Sequence, residues 1–209
     1  MGDGLEMPRV NNLSYDRMRL VKVTSMTDER EVIRRPADRR ERILDAAEKL
    51  ARRGGYFGFS FRDVAAAVGV KSASIHHHFP TKEDLVVALT ARYRDRFLES
   101  LGDPLQPGAA RRLADAYRSA VGTRDQMCLC GLLAAESDAL PEATRGEVGT
   151  FYDANIDWAA RALGGETERA EALIAGLAGA VVLARSKLDP GIYDRAAAAL
   201  LSGVSSGHR

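Results

Sequence analysis

Apolar residues recur at the spacing of amphipathic helices along most of this chain, beginning near Arg39. The first helix is predicted to end at Gly54-Gly55, and its apolar face consists of Ile43, Leu44, Ala47, Leu50 and Ala51. Nowhere do polar and apolar residues alternate for long enough to require a strand. The pattern therefore predicts an all-α fold with about nine helices.

Two capping boxes mark the helices that follow. In "SFRDVAAAVG", Ser60 and Asp63 are spaced so that each side chain satisfies a backbone N–H of the other residue, and a glycine then ends the helix. The same spacing recurs at Thr81 and Asp84, where a helix of about five turns begins. A short helix is predicted over 71–79, between these two. Two short helices joined by a tight glycine turn, with a third helix packed across them, form a helix-turn-helix module.

The second helix of this motif, in "KSASIHHHFP", has a polar face without any acidic residue. Its exposed positions are predicted to be Lys71, Ser72, Ser74, His76 and His77, and its buried positions Val70, Ile75 and Phe79. Such a face offers hydrogen bonds and positive charge to phosphates and base edges, and it carries nothing that repels them. The pattern favours a DNA-reading helix over a purely structural corner.

Three consecutive histidines also raise the question of a metal site. Neighbouring helical residues point about 100° apart, so His76, His77 and His78 cannot converge on one ion. No Cys, Asp or Glu close by in the sequence has the spacing of a metal ligand. We therefore expect no metal site and no cofactor, and we expect His78 to pack against the next helix.

The stretch "RERILDAAEKLARRGGYFGFSFRDVAAAVGVKSASIHHHFPTKEDLVVALTARY", Arg40 to Tyr93, resembles the DNA-binding domain of TetR-family transcriptional regulators. The family pattern is a helix, a glycine turn and "T-x-x-I-A-x-x-A-G-V-S-x-x-x-x-Y-x-H-F-x-x-K", and the similarity runs without a gap. Lys71 stands where a serine usually caps the recognition helix, so the cap falls to Ser72 or is absent. His76 stands where the family usually has a tyrosine, whose hydroxyl commonly contacts a phosphate.

The resemblance implies two groups of DNA-contacting residues. Contacts to the DNA backbone are expected from Ser60, Arg62, His76, His77 and Lys82. Contacts in the major groove are expected from Lys71, Ser72 and Ser74. Lys82 begins a helix, so its charge and the helix dipole would act on the same phosphate.

With the resemblance, the chain divides into three parts. Residues 1–35 show no apolar period and are predicted to be a mobile N-terminal arm. Residues 36–82 would form the helix-turn-helix DNA-binding domain, and residues 83–209 a helical ligand-binding and dimerisation domain. Helices in this last part are predicted near 108–121, 126–137, 141–163 and 168–188, with a final helix that ends near residue 202.

In the family, the C-terminal helices form a chamber for a small-molecule effector, and the same is implied here. The stretch "DQMCLCGLLAAESDALP" resembles a "G-C-L-x-x-x-L-x-x-E" segment that lines the chamber in one branch of the family. Candidate wall residues are Tyr93, Phe97, Tyr117, Met127, Cys128, Leu132, Phe151, Trp158, Leu177 and Arg185. Most of these would belong to the core of any helical protein. Arg185, within an apolar helix, needs a partner, either an acid such as Glu136 or an anionic group of the ligand.

Cys128 and Cys130 are the only cysteines, and on a helix they would point about 200° apart, so we do not expect them to form a disulfide. Some members of the same branch use the cysteine at the position of Cys128 to sense electrophiles or oxidants. A thiol beside Arg185 would ionise more easily and react faster. The alternative is that Cys128 is a small hydrophobic core residue.

The last two helices are rich in alanine and glycine, which let helix backbones approach closely. They are predicted to form a four-helix bundle with a second copy of the chain, or else to pack together inside one subunit. A protein that reads half-sites needs a two-fold partner about 34 Å away to reach successive major grooves. We therefore predict a homodimer.

The net charge of +1 conceals an asymmetry: residues 1–82 contain 16 Lys/Arg and 11 Asp/Glu, whereas the remainder contains 14 and 18. A basic first part suggests a polyanionic partner. No apolar run approaches the roughly 18 residues that span a bilayer, and the first residues lack the apolar core of a signal peptide. We therefore expect a cytoplasmic protein with no membrane partner.

These features predict a ligand-responsive DNA-binding transcriptional regulator. Its simplest form is a repressor that releases a palindromic operator when a small molecule, or a modification of Cys128, acts on the C-terminal domain. Two alternatives stay open: an all-helical enzyme, or an adaptor that binds another protein, with an incidental helix-turn-helix. An enzyme would need a nucleophile with its base or a set of metal ligands, and we find neither, the fourth histidine being His208. We predict that the chain is not an enzyme.

Overall fold

The structure, a computed structural model, describes residues 36–122 and 127–205. Its nine α-helices are α1 (Pro36–Gly54), α2 (Phe61–Val68), α3 (Ser72–His78), α4 (Lys82–Leu101), α5 (Ala109–Gly122), α6 (Leu129–Ala134), α7 (Glu142–Ala162), α8 (Thr167–Ser186) and α9 (Pro190–Ser205). A single 3-10 turn spans Ser137–Ala139, and these ranges contain no strand. The predicted all-α fold with about nine helices is confirmed. The predicted N-terminal arm lies outside the described residues.

The described residues from Ile43 onward pack as one compact unit, and residues 36–42 belong to a separate N-terminal unit. Ile43, Leu44, Ala47 and Ala51 of α1 are fully buried, as their spacing predicts. Burying four apolar side chains on one face supplies most of the stability of such a helix. The boundary predicted at residue 82 does not coincide with this division and stays a prediction.

Helix α4 connects the first three helices to the rest of the compact unit. Its capping box forms as predicted, because Thr81 accepts from the Asp84 amide while the Asp84 carboxylate accepts from the Thr81 amide. Farther along, Arg92 pairs with Asp45 of α1 at 2.9 Å, and Arg94 pairs with Glu147 of α7. Ion pairs on opposite sides of α4 therefore tie it to both neighbours.

The segment predicted as one helix over 126–137 is shorter and interrupted. Of its described residues, only 129–134 are α-helical, and the residues on both sides of this helix contact the region around the end of α1. At the start, the Met127 amide donates to the Arg52 carbonyl at 3.2 Å. At the end, the Glu136 carboxylate accepts from the Tyr56 amide at 2.7 Å. Both contacts join residues more than 70 positions apart, so local periodicity gives no sign of them.

Helices α8 and α9 pack against each other within one subunit. A Cβ atom at Gly176 would lie 2.7 Å from a methyl group of Leu200, so the absence of a side chain there permits the close approach. A second face of α8 stays exposed in the single chain: Ala172, Ala175, Gly179, Val182 and Leu183. The small residues thus serve packing inside the subunit and also leave an uncovered apolar face.

In the part of the chain that the structure describes, no helix is long and apolar enough to cross a membrane.

Candidate functional site

Helices α2 and α3 are joined by a tight turn whose ends are set by local chemistry. Ser60 is the N-cap of α2: its hydroxyl accepts from the Asp63 amide, and Asp63 accepts from the Ser60 amide at 2.8 Å. The Ser60 hydroxyl also donates to the Asp63 carboxylate at 2.7 Å, and this hydrogen bond, followed by that from the Ser60 amide, holds the pKa of Asp63 below its ordinary value. Gly69 ends α2 with a φ of 77°, a conformation that glycine adopts without steric cost. The predicted cap and stop are confirmed.

Helix α3 begins without a side-chain cap. Lys71 occupies the N-cap position and makes no capping hydrogen bond. Of the two alternatives left by the sequence, a cap from Ser72 or no cap, the structure shows the second. The first amides of α3 therefore keep their capacity to bind an acceptor from outside, and the exposed Lys71 and Ser72 side chains lie beside them.

The exposed face of α3 agrees with the predicted pattern at most positions. Lys71, Ser72, His76 and His77 are exposed, whereas Ile75 is fully buried and Phe79 is 3% exposed. Two positions differ from the prediction, since Ser74 and Val70 are each half-buried. In Ser74, the part of the side chain that can meet DNA is correspondingly smaller.

The histidines of α3 make ring contacts with nearby aromatic side chains and do not converge on one point. The His76 ring packs edge-on against Phe61, with 4.6 Å between ring centroids, and its Nδ1 lies 3.2 Å from the Pro80 carbonyl oxygen. A carbonyl only accepts, so this contact requires the proton on Nδ1. His77 and His78 meet edge to face at 5.4 Å. Within the described ranges, no group of three His, Cys, Asp or Glu side chains is placed to hold a metal ion.

Lys82, for which the resemblance implies a phosphate contact, has partners inside the protein. Its Nζ donates to the Phe59 carbonyl at 2.5 Å and lies 4.7 Å from the centre of the Tyr56 ring. Burial lowers the pKa of this ammonium, and the Glu136 charge opposes that shift. The resemblance also implies DNA contacts by Ser60 and Arg62 at this end of α2. The Ser60 hydroxyl accepts the capping hydrogen bond, and the Arg62 side chain is exposed. A phosphate contact by any of the three stays a prediction.

Five aromatic side chains from three helices form what we call the aromatic cluster: Tyr93 and Phe97 of α4, Tyr117 of α5, and Phe151 and Tyr152 of α7. Phe97 lies at its centre, with ring centroids 5.5 Å from Phe151 and 5.7 Å from Tyr117. Tyr93 lies 5.8 Å from Phe151. Four of the five were predicted as walls of a ligand site, and the structure brings those four together with Cys128.

The polar groups within the aromatic cluster are hydroxyls, and the Arg52 guanidinium lies 5.8 Å from the centre of the Tyr93 ring. The Tyr93 hydroxyl donates to the Cys128 sulfur at 3.7 Å. The Tyr117 hydroxyl is buried, and among the described residues it has no hydrogen-bond partner. Burial, followed by the proximity of Cys128, raises the pKa of Tyr117 well above its ordinary value. The amide oxygen of Asn155, one turn after Phe151, is likewise buried and without a partner in the described part of the chain.

Other predicted wall residues lie elsewhere or serve the core. Trp158 donates its indole N–H to the Gly102 carbonyl at 2.8 Å, which fastens the loop after α4. Leu177 is fully buried, and Leu132 and Met127 are half-buried. Trp158 and Leu177 belong to the same hydrophobic core as Tyr117 and Phe151.

Arg185 donates to the Ala120 carbonyl at 3.0 Å, while Glu136, one of the two kinds of partner considered for it, accepts from the Tyr56 amide at 2.7 Å. Arg185 lines a cavity of about 270 Å³ together with Val121, Gly122, Ala184, Leu188 and Pro190. A contact of Arg185 with an anionic group of a ligand stays a prediction.

Cys128 lies beside three phenols, and Arg52 donates to the carbonyl of the preceding residue, Met127, at 2.8 Å. Three tyrosines, Tyr93, Tyr117 and Tyr152, have pKa values raised first by burial and next by the proximity of this thiol. Cys130 is fully buried, and burial raises the pKa of its thiol well above the ordinary value. Both thiols are free.

One residue of the aromatic cluster was missed from the sequence. Tyr152 follows Phe151 directly, and the alternation of buried positions on α7 gave no reason to select it. A signal for Tyr152 exists in hindsight, because a tyrosine on an apolar helix face needs a place for its hydroxyl.

Comparison with known proteins places the first helices in a family. The sequence profile described as "Bacterial regulatory proteins, tetR family" matches residues 43–89. The HTH-type transcriptional repressor KstR of Rhodococcus jostii is 41% identical over 59 residues, which is 28% of either chain. The HTH-type transcriptional repressor KstR2 of Mycobacterium tuberculosis is 34% identical over 76 residues, 32% of this chain and 38% of that protein. The matched region thus spans about a third of these curated relatives.

Solved structures match over nearly their whole length. A TetR transcriptional regulator from Legionella pneumophila is 29% identical, with a TM-score of 0.71, over 78% of this chain and 95% of that one. A transcriptional regulator of the TetR family from Agrobacterium tumefaciens is 30% identical, with a TM-score of 0.73, over 80% of this chain and 98% of that one. Because both helical parts are matched in sequence and in structure, this chain belongs to the TetR family of transcriptional regulators.

Proposed function

We propose that this chain is a homodimeric transcriptional repressor that reads a palindromic DNA operator with α3 and releases it when a small molecule binds among the C-terminal helices. The observation that carries the proposal is the exposed, acid-free face of α3, held against α2 by the Gly69 turn. Two matched relatives, KstR and KstR2, are named as repressors, which supports repression.

The proposed contacts combine a groove-facing set with a backbone-facing set. Lys71 and Ser72 lie at the uncapped start of α3, where free amides, a helix dipole and a cation act together on an anion. His76 and His77 lie one turn later on the exposed side. Ser74 contributes through its accessible edge. Arg62, exposed on α2, would contact the flanking phosphates.

A second copy would cover the exposed face of α8. Val182 and Leu183 are 51% and 57% exposed. Large apolar side chains grouped on an exposed face are typical of a surface that binds another protein. A Cβ atom at Gly179, on the same face, would meet nothing within 4 Å, which leaves room for a partner helix. A two-fold bundle of α8 and α9 with their copies would present two α3 helices to successive grooves.

We place the effector at the aromatic cluster, on the evidence of its unpaired groups. A buried hydroxyl without a partner costs about 1–3 kcal/mol, and a ligand that accepts its hydrogen bond recovers that cost. The Tyr117 hydroxyl can donate, and the Asn155 oxygen can accept. Burial disfavours charge at this place. The effector we propose is therefore uncharged, largely apolar, and equipped with at least one hydrogen-bond acceptor such as a carbonyl oxygen.

Binding rather than catalysis accounts for these groups. Burial raises the pKa of the Tyr117 phenol in the cluster and that of the nearby Cys130 thiol, so neither group is a ready base or nucleophile near neutral pH. We therefore propose that the chain is not an enzyme. A protein that acts on the chromosome in this way would work in the cytoplasm.

Selection of DNA from a random-sequence pool tests the proposal. Purified protein would be used to enrich duplexes over several rounds at about 0.15 M salt, and the products would be sequenced. We expect a palindromic consensus with half-sites about one helical turn apart. Enrichment of no sequence, or of single half-sites only, would contradict the proposed dimeric reader.

A further inference from the structure

The turn between α1 and α2, residues 55–59, is held from two sides by opposite charges. Glu136, after α6, reaches it from one side, and Lys82, at the start of α4, reaches it from the other. We call this arrangement the turn clasp, meaning Glu136, Lys82 and residues 55–59. Helix α2 begins directly after this turn, so the clasp acts on the position of the helix-turn-helix motif.

On the acidic side, the Glu136 carboxylate packs closely against the backbone of the turn. One carboxylate oxygen of Glu136 accepts from the Tyr56 amide at 2.7 Å. The other approaches Gly55 so closely that a Cβ atom there would lie 2.3 Å from it. Gly55 also has a φ of 70°, so glycine is required both for the backbone shape and for the approach of the acid.

On the basic side, the ammonium of Lys82 is enclosed by the same turn. It donates to the Phe59 carbonyl and lies 4.6 Å and 4.7 Å from the ring centres of Phe59 and Tyr56. Both rings belong to the buried core. A cation over two aromatic faces, bonded to a carbonyl, gains stabilisation that partly offsets its lost hydration. The Glu136 charge further favours the protonated form of Lys82.

The clasp is connected along the chain to the proposed effector site. Helix α6 lies between Cys128, which accepts from the Tyr93 hydroxyl, and Glu136. Just before α6, Arg52 and Met127 are joined twice, through the Met127 amide and through the Arg52 side chain at 2.8 Å. Displacement of α6 by a ligand would therefore shift both attachments to the end of α1 and the turn.

We propose that Glu136 is a positioning residue for DNA binding: through the turn clasp it holds α2 and α3 in the DNA-reading arrangement and links them to the effector site. This inference rests on the proposed function. The change in DNA affinity that it predicts has the opposite sign to the change expected from net charge alone. Removing a negative charge from a DNA-binding protein ordinarily strengthens its attraction to phosphates, whereas loss of the Glu136 carboxylate weakens binding if its role is to hold the turn.

Operator affinity of Glu136 variants tests the proposal. The probe is the duplex that the wild-type protein selects from a random pool, labelled for fluorescence anisotropy. We expect Glu136→Ala to weaken binding by about tenfold, the effect of losing one charge-assisted hydrogen bond. Glu136→Gln keeps an acceptor for the Tyr56 amide without the charge, so we expect a smaller loss of about threefold.

Glu99→Gln is the matched control, because it removes the same charge from an exposed position on α4. We expect the control to bind as tightly as the wild type or slightly more tightly. If the Glu136 variants behave like the control, or bind more tightly, the inference is wrong while the proposed function stands. If the wild-type protein selects no sequence at all, the proposed function fails, and the inference fails with it.

Hydrogen exchange of backbone amides separates positioning from general loss of structure. In Glu136→Ala, we expect faster exchange over residues 55–59 and unchanged exchange in α7 and α8, which the clasp does not touch. Unchanged exchange at the turn would overturn the inference whatever the affinity. Faster exchange throughout the protein would also overturn it, because Glu136 would then support the whole fold.

Discussion

The α2–α3 region and the aromatic cluster satisfy their polar groups in opposite ways. On α2, Ser60 and Asp63 bond each other, and the polar side chains of α3 point to the exposed side. In the aromatic cluster, the Tyr117 hydroxyl is buried and unpaired within the described ranges. The first region needs nothing further to be stable, so we propose that its surface is a preformed DNA-reading surface, which we call the reader. The second carries a free-energy cost that a ligand can remove, so it suits a switch.

The largest expected effect concerns the dimer, because the account fails if a single copy of the chain binds the operator as tightly as two. Leu183→Asp places a charge on the exposed face of α8, where a partner would bury it, and leaves the aromatic cluster intact. We expect a monomer by analytical ultracentrifugation and a loss of operator affinity of at least about 100-fold, because one half-site contact set is lost. Leu105→Asp, at a 70% exposed loop position, is the control. A dimer that persists in Leu183→Asp would refute the α8 interface.

Lys71 tests whether the reader acts at the start of α3. Lys71→Ala removes the cation beside the uncapped amides, and we expect affinity to fall by about tenfold and the slope of log K against log salt to decrease by about one. Lys49→Ala, on an exposed position of α1, is the matched control and should change both quantities little. Equal effects of the two variants would mean that charge alone, not position, explains binding.

The cost of the unpaired hydroxyl can be measured without any ligand. Tyr117→Phe removes a buried group that lacks a partner, so we expect the free energy of unfolding to rise by about 1 kcal/mol. Tyr193→Phe is the matched contrast, since that hydroxyl is buried and donates to the Ala114 carbonyl at 2.5 Å. We expect Tyr193→Phe to lower the free energy of unfolding by about 1 kcal/mol. Urea denaturation of both variants measures the difference, and a loss of stability in Tyr117→Phe would show that its hydroxyl is satisfied.

The smallest expected effect concerns the cap of α2. The pKa of Asp63 in the folded protein is below its ordinary value of 3.8. Its contribution to stability is therefore fully present above about pH 4 and is lost as the pH falls through the folded pKa. An NMR titration of the Asp63 carboxyl should show this lowered midpoint, and Ser60→Ala should return it toward the ordinary value. A midpoint unaffected by Ser60→Ala would mean that the capping box does not set it.

The caps and the turn of the proposed reader could be predicted from the sequence because their chemistry is local. The partners Ser60 and Asp63 are three residues apart, and the Gly69 stop follows within the same helix. The aromatic cluster was only partly predictable, since Tyr152 joins it through packing between helices. The contact between the Glu136 carboxylate and the Tyr56 amide was not predicted, because the two residues are 80 positions apart in the sequence. Contacts at such separations depend on the folded arrangement, which the spacing of apolar residues does not encode.

The central claim is that α3 is a sequence-reading surface whose binding also depends on phosphates. Fluorescence anisotropy with the selected duplex and with a scrambled duplex of equal length, between 50 and 200 mM salt, tests it most directly. The account predicts a preference for the selected duplex of at least about 1,000-fold near physiological salt, and a linear fall of log K with log salt for both duplexes. Equal affinity for the two duplexes, or affinity that does not change with salt, would contradict it.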